Sequence, residues 1–166
     1  MATEAWEARA AALWDRLDDM DEDVFVQAMT DLAAECGPDD PVALFEVGGA
    51  HDSTGRTEAA VGYYERAVAA GLSGVRRRRV SIQMASSLRE LGRPERALAL
   101  IDAEKGRGSD EYDGALAMCE ALTLAKLGRD REGLSVALIA LALHLPRYQR
   151  STVNYARGLV EEDPVG

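Results

Sequence analysis

Apolar side chains recur along most of the chain with the spacing of one helix face. After Gly55, for example, the positions i, i+1, i+4, i+7 and i+8 hold Ala60, Val61, Tyr64, Ala67 and Val68. That spacing is typical of an amphipathic α-helix, and no alternating strand pattern competes with it. The pattern therefore predicts an all-α fold of about nine helices.

Three glycines mark a repeat within this helical pattern. Gly55, Gly92 and Gly128 are each followed by Arg and lie 37 and 36 residues apart. Glycine adopts the left-handed conformation that ends many helices at little cost. Each glycine is thus predicted to form the bend of a helix hairpin, and the fixed period indicates a stacked array of such hairpins.

The array divides the chain into four predicted regions: an N-terminal helix pair (1–38), three hairpin units (39–145), a closing helix (146–160) and a frayed tail (161–166). In the first region, Trp6 and Trp14 share one helix face and are expected to pack on Phe25 and Leu32. Packing is favoured over an exposed binding site for a partner or a second copy, because the first repeat of an array must have its apolar outer face capped.

Local signals support the first hairpin unit. Asp40 can cap a helix whose first residue is Pro41. Gly48 and Gly49 lie inside that helix, where each lowers helix stability by about 1 kcal/mol relative to Ala. Their presence predicts that a neighbouring helix comes very close at this point.

The sequence resembles the tetratricopeptide repeat, a helix–turn–helix unit of 34 residues. Residues 41–74 match it best, through Leu44, Val47, Gly48, Gly55, Ala60, Tyr64 and Ala67. The later units depart from the pattern, because Glu104 and Gly133 stand where the repeat has a small residue and an Ala. The whole arrangement is similar to small bacterial tetratricopeptide proteins of the "group 5" type.

The resemblance implies a right-handed α-solenoid whose concave groove is lined by the first helix of each unit. It places the binding residues of that groove at Phe45, Glu46, Asp52, Arg79, Gln83, Ser86, Arg89, Arg150 and Asn154, with Gly49, Met118, Cys119, Leu122 and Ser151 beside them. The Lys/Asn/Arg clamp of chaperone-binding relatives is absent, since Phe45, Gly49, Gln83, Ala115 and Cys119 hold the corresponding places.

The charge of the chain bears on its partners. The formal net charge is −10, which opposes binding to a phosphate backbone. Arg76–Arg79 are four consecutive helical residues that point in four directions, so they do not form a flat nucleic-acid patch. They are expected to pair with the acidic N-terminal half. Nucleic-acid binding is not predicted.

No catalytic or metal-binding constellation stands out in the sequence. Cys36 and Cys119 are expected to be free thiols, and His51 and His144 have no partner ligands at helical spacing. The acidic stretch Asp18–Asp23 lacks the calcium-loop spacing. The chain is predicted to be a non-enzyme without a cofactor.

The function indicated is a non-catalytic module that binds a peptide or protein surface in its groove. The alternative is structural self-association as a homodimer, suggested by Leu141, Leu143 and Leu145 near the end. The longest apolar run, Val136–Leu143, is too short to cross a membrane, and no secretory signal is visible, so a cytoplasmic location is expected. The excess of Arg over Lys suggests a bacterial source.

Overall fold

A computed structural model describes residues 1–161 of the chain, and that part contains nine α-helices and no strand. The helices are α1 (Glu4–Trp14), α2 (Glu22–Ala34), α3 (Pro41–Ser53), α4 (Thr57–Ala69), α5 (Gly74–Glu90), α6 (Pro94–Lys105), α7 (Asp113–Lys126), α8 (Asp130–Ala142) and α9 (Gln149–Gly158). A short 3-10 turn, Leu17–Asp19, separates α1 from α2. The predicted all-α class is confirmed.

The helices belong to two compact units, Met1–Val80 and Ser81–Gly166, whose boundary falls within α5. In the first unit α1 packs on α2, α2 on α3, and α3 on α4. In the second unit α6 packs on α7, α7 on α8, and α8 on α9. Within each unit these helices thus pack on their neighbours in sequence, as in helical repeat proteins.

The three predicted bends share one backbone geometry. Gly55, Gly92 and Gly128 have φ values of 73°, 73° and 74°, in the left-handed region that suits glycine. At each bend the amide of the following Arg donates to a carbonyl five residues earlier, over 2.8 to 2.9 Å. This is the Schellman motif, so the bends are confirmed as helix C-terminal caps.

The N-terminal helix pair is held by its tryptophans, as predicted. Trp6 is 3% exposed, and its indole N–H donates to the carbonyl of Leu32 over 2.7 Å. The ring of Trp14 meets Phe25 edge to face, with 5.2 Å between centroids. Phe25 itself is fully buried, and the half-buried Trp14 packs against the core cluster that contains Phe25 and Trp6.

The close approach predicted at the paired glycines of α3 is confirmed. A Cβ atom on Gly48 would lie 2.6 Å from Cδ1 of Tyr64 in α4. A Cβ on Gly49 would lie 3.1 Å from Cζ2 of Trp14 in α1. Asp40 caps this helix as expected, because its carboxylate accepts from the amides of Val42 and Ala43.

Two departures from the repeat pattern have local explanations in the second unit. Glu104 is 3% exposed, and its carboxylate accepts from the Ser81 hydroxyl over 3.0 Å and lies 3.5 Å from Nε of Arg107. Gly133 packs against α7 so closely that a Cβ would lie 2.7 Å from the carbonyl oxygen of Ala121.

The end of the chain differs from the prediction. The closing helix was expected from about Pro146, but α9 begins at Gln149 because Tyr148 adopts a left-handed conformation with φ 69°. Apart from Glu161, the predicted tail (161–166) lies outside the described residues. Within residues 1–161, no helix combines the length and apolar character needed to cross a membrane.

Candidate functional site

Four of the predicted groove residues lie in the first compact unit, Met1–Val80, and the structure gives them different surroundings: Phe45, Glu46, Asp52 and Arg79. Phe45 is 2% exposed and lies beneath Arg79, whose guanidinium carbon is 5.3 Å from the ring centroid. This is a cation–π arrangement. Arg79 is exposed, so Phe45 supports the guanidinium and Arg79 forms the surface.

Glu46 connects α3 to the N-terminal helix pair. Its carboxylate accepts from the indole N–H of Trp14 over 2.8 Å and lies 3.6 Å from Nε of Arg76. Arg76 also donates to Glu7 over 2.7 Å. Burial acts to lower the pKa of Arg76, but the hydrogen bond and charge of Glu7, together with Glu46, outweigh it and raise that pKa. The expected pairing with the acidic N-terminal half is confirmed for Arg76.

Asp52 accepts a hydrogen bond from the hydroxyl of Tyr64 over 3.2 Å. Tyr64 is fully buried, and burial, followed by the negative charge of Asp52, raises the pKa of its phenol. The phenol therefore stays protonated and acts as a donor. Asp52 is half-buried, and this bond fixes its carboxylate at the end of α3.

His51 is a packing residue, in agreement with the sequence. Its ring stacks on Tyr63, with 5.2 Å between centroids and 14° between planes. Its Nδ1 is buried and has no hydrogen-bond partner among residues 1–161. Burial, and then the positive charge of Arg56, lower the pKa of the imidazole below 6.5.

This histidine predicts a pH dependence of stability. Because its pKa is lower in the folded chain, the unfolded chain binds more protons once the pH falls below about 6.5. The free energy of unfolding should therefore decrease from pH 7.5 to pH 5, as measured by urea unfolding. The control is His51→Phe, which retains a stacking ring that does not titrate and should show a smaller decrease. Equal decreases in both proteins would contradict the assignment.

In the second unit three predicted residues follow one another at intervals of three along α5, and this set is called here the Arg89 cluster: Gln83, Ser86 and Arg89. The guanidinium of Arg89 donates to the Ser86 hydroxyl over 3.2 Å and to Glu90 over 3.5 Å. Its side chain is 17% exposed. Nη1 of Arg89 and Oε1 of Gln83 are buried and have no hydrogen-bond partner in the described part of the chain.

Cys119 lies beside this cluster and is not a surface residue. It is 1% exposed, and its thiol contacts the carbonyl of Ile82 at 3.6 Å. Burial raises the pKa of the thiol, and the charge of Arg89 opposes that effect only in part. The family resemblance placed Cys119 beside the groove residues, whereas in the structure its side chain is buried. Cys36 and Cys119 are both free thiols, as expected.

Next to Cys119, α7 and α8 form an apolar groove of about 430 Å³. The apolar groove is lined by Met118, Ala121, Leu122, Ala137, Leu141 and His144, among others. Met118, Leu122 and Leu141 are 51%, 47% and 49% exposed. Three large apolar side chains are therefore half open to solvent along one groove of the second unit.

The last predicted residues, Arg150 and Asn154, lie on α9. Together with Tyr148, Gln149 and Ser151 they line an open depression of about 590 Å³ at the start of that helix. Both side chains are exposed. Among the described residues, no group of three or more His, Cys, Asp or Glu side chains could hold a metal ion.

The sequence could not reveal the unpartnered atoms of Gln83 and Arg89. It placed both residues on one helix, but whether a polar atom is satisfied depends on side chains that α7 brings from a distance. It also gave no sign that Glu46 bonds to Trp14. The apolar groove had a sequence signal in Met118 and Leu122, which the repeat pattern assigned to the inner helix.

Comparison with known proteins identifies one family. A family model described as "Tetratrico peptide repeat" matches residues 41–159, which cover α3 to α9. No curated protein and no solved structure was found to match the chain.

Proposed function

The chain belongs to the tetratricopeptide repeat family, and from this premise we propose that it is a non-catalytic module that binds a peptide or a protein surface along its groove-lining helices. The family is one of protein–protein interaction modules. Within the second unit, the proposal is supported chiefly by the Arg89 cluster, where a partly buried guanidinium and an amide oxygen have unsatisfied hydrogen-bonding capacity.

Unsatisfied polar atoms point to binding because they are rare in folded proteins. More than about nine in ten buried polar groups have a partner, since an unpaired one retains its desolvation cost. Two such atoms belong to side chains of α5 that lie six residues apart. Both atoms are buried in the free protein, so a ligand that supplied an acceptor to Arg89 and a donor to Gln83 would satisfy them once the two side chains turned outward.

We expect Arg89→Glu to weaken partner binding at least about tenfold, or about 1.4 kcal/mol. The protein would first be used to capture a partner from a lysate, and the captured protein would be purified and its affinity measured by calorimetry. Arg157→Glu is the matched control, because Arg157 is an exposed arginine on α9 outside the groove residues. Circular dichroism would show that both variants keep their helices.

If Arg89→Glu bound the partner with wild-type affinity, the part of α5 in the second unit would be excluded as the binding surface. Arg79→Glu tests the first unit separately, since Arg79 is exposed over Phe45. A partner that binds both variants and the control equally well would contradict the proposal for both helices.

Self-association is the second candidate function, and the apolar groove favours it. Met118, Leu122 and Leu141 are half exposed there, and Leu143 nearby on the chain is 78% exposed. Apolar patches of this kind often mark interfaces. The expected result is a dimer in sedimentation velocity at micromolar concentration, and Leu122→Glu should convert it to a monomer. A wild-type protein that sediments as a monomer would exclude this function.

A further inference from the structure

We propose that a small cleft between α2, α3 and α4 binds an aromatic monocarboxylate, with the aromatic ring in the cleft and the carboxylate on Arg66. The cleft lies within the first unit, among residues 30–66. It is called here the α2–α4 cleft. None of its lining residues belongs to the predicted groove residues or to the Arg89 cluster. This inference is therefore independent of the proposed function, and either can fail without the other.

The inner side of the α2–α4 cleft is apolar. Ala43, Leu44 and Val47 of α3 line it and are buried. Ala33 of α2 and Tyr63 of α4 line it from the two neighbouring helices and are half-buried. The space stays open because alanines stand at positions where a longer side chain would fill it. The cleft therefore presents an apolar surface that a ligand can cover.

The size of the cleft suits one aromatic ring. Its volume is about 180 Å³, and an engineered apolar cavity of about 150 Å³ in another protein binds benzene. A bound water molecule needs several polar partners, and the cleft offers few. The hydroxyl of Thr30, which also lines the cleft, already donates to the carbonyl of Val26 over 2.8 Å. Apolar atoms are therefore better occupants of the inner side than water.

Tyr63 favours an aromatic ring over an aliphatic chain. Its own ring is held in place by stacking on His51, with 5.2 Å between centroids and 14° between planes. Pairs of aromatic rings attract one another beyond the effect of burial alone. A ligand ring packed against Tyr63 would gain this attraction without any rearrangement of that side chain.

Arg66 places a positive charge at the edge of the cleft. Its guanidinium carbon lies 5.5 Å from the centroid of the Tyr63 ring, and its Nη2 donates to the carbonyl of Pro38 over 2.8 Å. These contacts fix the guanidinium beside the apolar surface and use only one of its several N–H donors. A carboxylate can accept from two parallel donors of a guanidinium. The charge of Arg66 thus complements an acid attached to the ring.

Asp39 does not satisfy Arg66. Its carboxylate lies 4.0 Å from the guanidinium, whereas charge-assisted N–H···O bonds are about 2.7 to 2.9 Å. Asp39 is exposed, and ion pairs between exposed groups contribute little to stability. A bound carboxylate therefore displaces Asp39 at small cost. The distant charges behind the net value of −10 are screened over about 8 Å at physiological ionic strength.

The test titrates phenylacetate into the full-length chain and follows backbone amides by NMR, with affinities measured by calorimetry. We expect a dissociation constant of about 1 mM or lower and the largest shift changes at the amides of Ala33, Ala43 and Tyr63. Phenylacetamide has the same ring without the charge and should bind at least about fivefold more weakly. N-acetylphenylalanine represents the C-terminus of a peptide and should bind no more tightly than phenylacetate.

Variants at the edge of the cleft separate the two parts of the ligand. Arg66→Gln should abolish the preference for phenylacetate over phenylacetamide, and Arg157→Gln, on exposed α9, is its matched control. Asp39→Asn removes the competing carboxylate and should tighten phenylacetate binding by up to about fivefold.

Ala34→Leu tests the apolar part. Ala34 is exposed and lines the cleft, so the larger side chain should cover the apolar surface and weaken phenylacetate and phenylacetamide alike by at least about fivefold. Ala125→Leu changes an exposed alanine of α7 and should behave as wild type. Circular dichroism would verify that every variant is folded.

The inference is overturned if phenylacetate leaves the amides of the cleft unshifted, if phenylacetamide binds equally well, or if Arg66→Gln retains the preference for the acid. Tighter binding of N-acetylphenylalanine would identify a peptide rather than a free small acid as the ligand and would also overturn it. None of these results bears on the Arg89 cluster, which the affinity of Arg89→Glu for a captured partner tests separately.

Discussion

Replacing Trp6 with Ala is expected to lower the free energy of unfolding by about 3 to 5 kcal/mol, the range for removing a buried aromatic side chain. Trp6 is 3% exposed in the core of the N-terminal helix pair. The substitution would leave a cavity and would also remove the indole hydrogen bond to Leu32. Urea unfolding followed by circular dichroism would measure the change.

Trp6→Phe is the control for this prediction. It keeps an apolar ring in the cavity and removes the indole N–H, so its effect should be nearer the roughly 0.5 to 1.5 kcal/mol of one hydrogen bond plus a small packing loss. If Trp6→Ala destabilised the protein no more than Trp6→Phe, the indole ring would not be a packing element of this unit.

The second large effect is expected for Gly48→Ala in the middle of α3. Alanine normally stabilises a helix by about 1 kcal/mol relative to glycine. Here its Cβ would lie 2.6 Å from the ring of Tyr64, and overpacking of this kind costs about 1 to 3 kcal/mol. Because Tyr64 is fully buried and bonded to Asp52, its ring has little room to move. The net result should be a loss of stability.

Gly62→Ala is the matched control, because Gly62 lies in the adjacent helix α4 and a Cβ atom added there would have no neighbour within 4 Å. This substitution should stabilise the protein by up to about 1 kcal/mol. In a Tyr64→Ala background the cost of Gly48→Ala should disappear, since the clashing ring is gone. A loss that persists in that background would place the clash elsewhere.

Much of the fold could be predicted from the sequence because its main determinants are local. The three Gly-Arg bends depend on a backbone conformation that glycine favours, and the helix at Pro41 depends on an adjacent cap. The start of α9 could not be predicted, since Pro146 is a normal first residue of a helix. The chain enters α9 three residues later because Tyr148 takes up a left-handed conformation, for which its residue type gives no signal.

The candidate site was less predictable for a related reason. The resemblance to the repeat family assigned Phe45 and Cys119 to groove-lining positions, but burial is decided by neighbours from other helices. Arg79 covers Phe45, and Cys119 is enclosed against the carbonyl of Ile82. Arg79 and Asn154 are exposed, and their contact with a ligand remains a prediction.

The backbone bonds at the three bends have a consequence for the exchange of amide protons with solvent. The amides of Arg56, Arg93 and Arg129 immediately follow the bend glycines, where connecting segments usually exchange fast. Each is nevertheless bonded to a helix carbonyl at 2.8 to 2.9 Å. In a deuterium-uptake map these amides would exchange as slowly as the helices that precede them. The slowly exchanging segments would therefore extend past the bend glycines, and the bends of the hairpins would not appear as fast-exchanging sites.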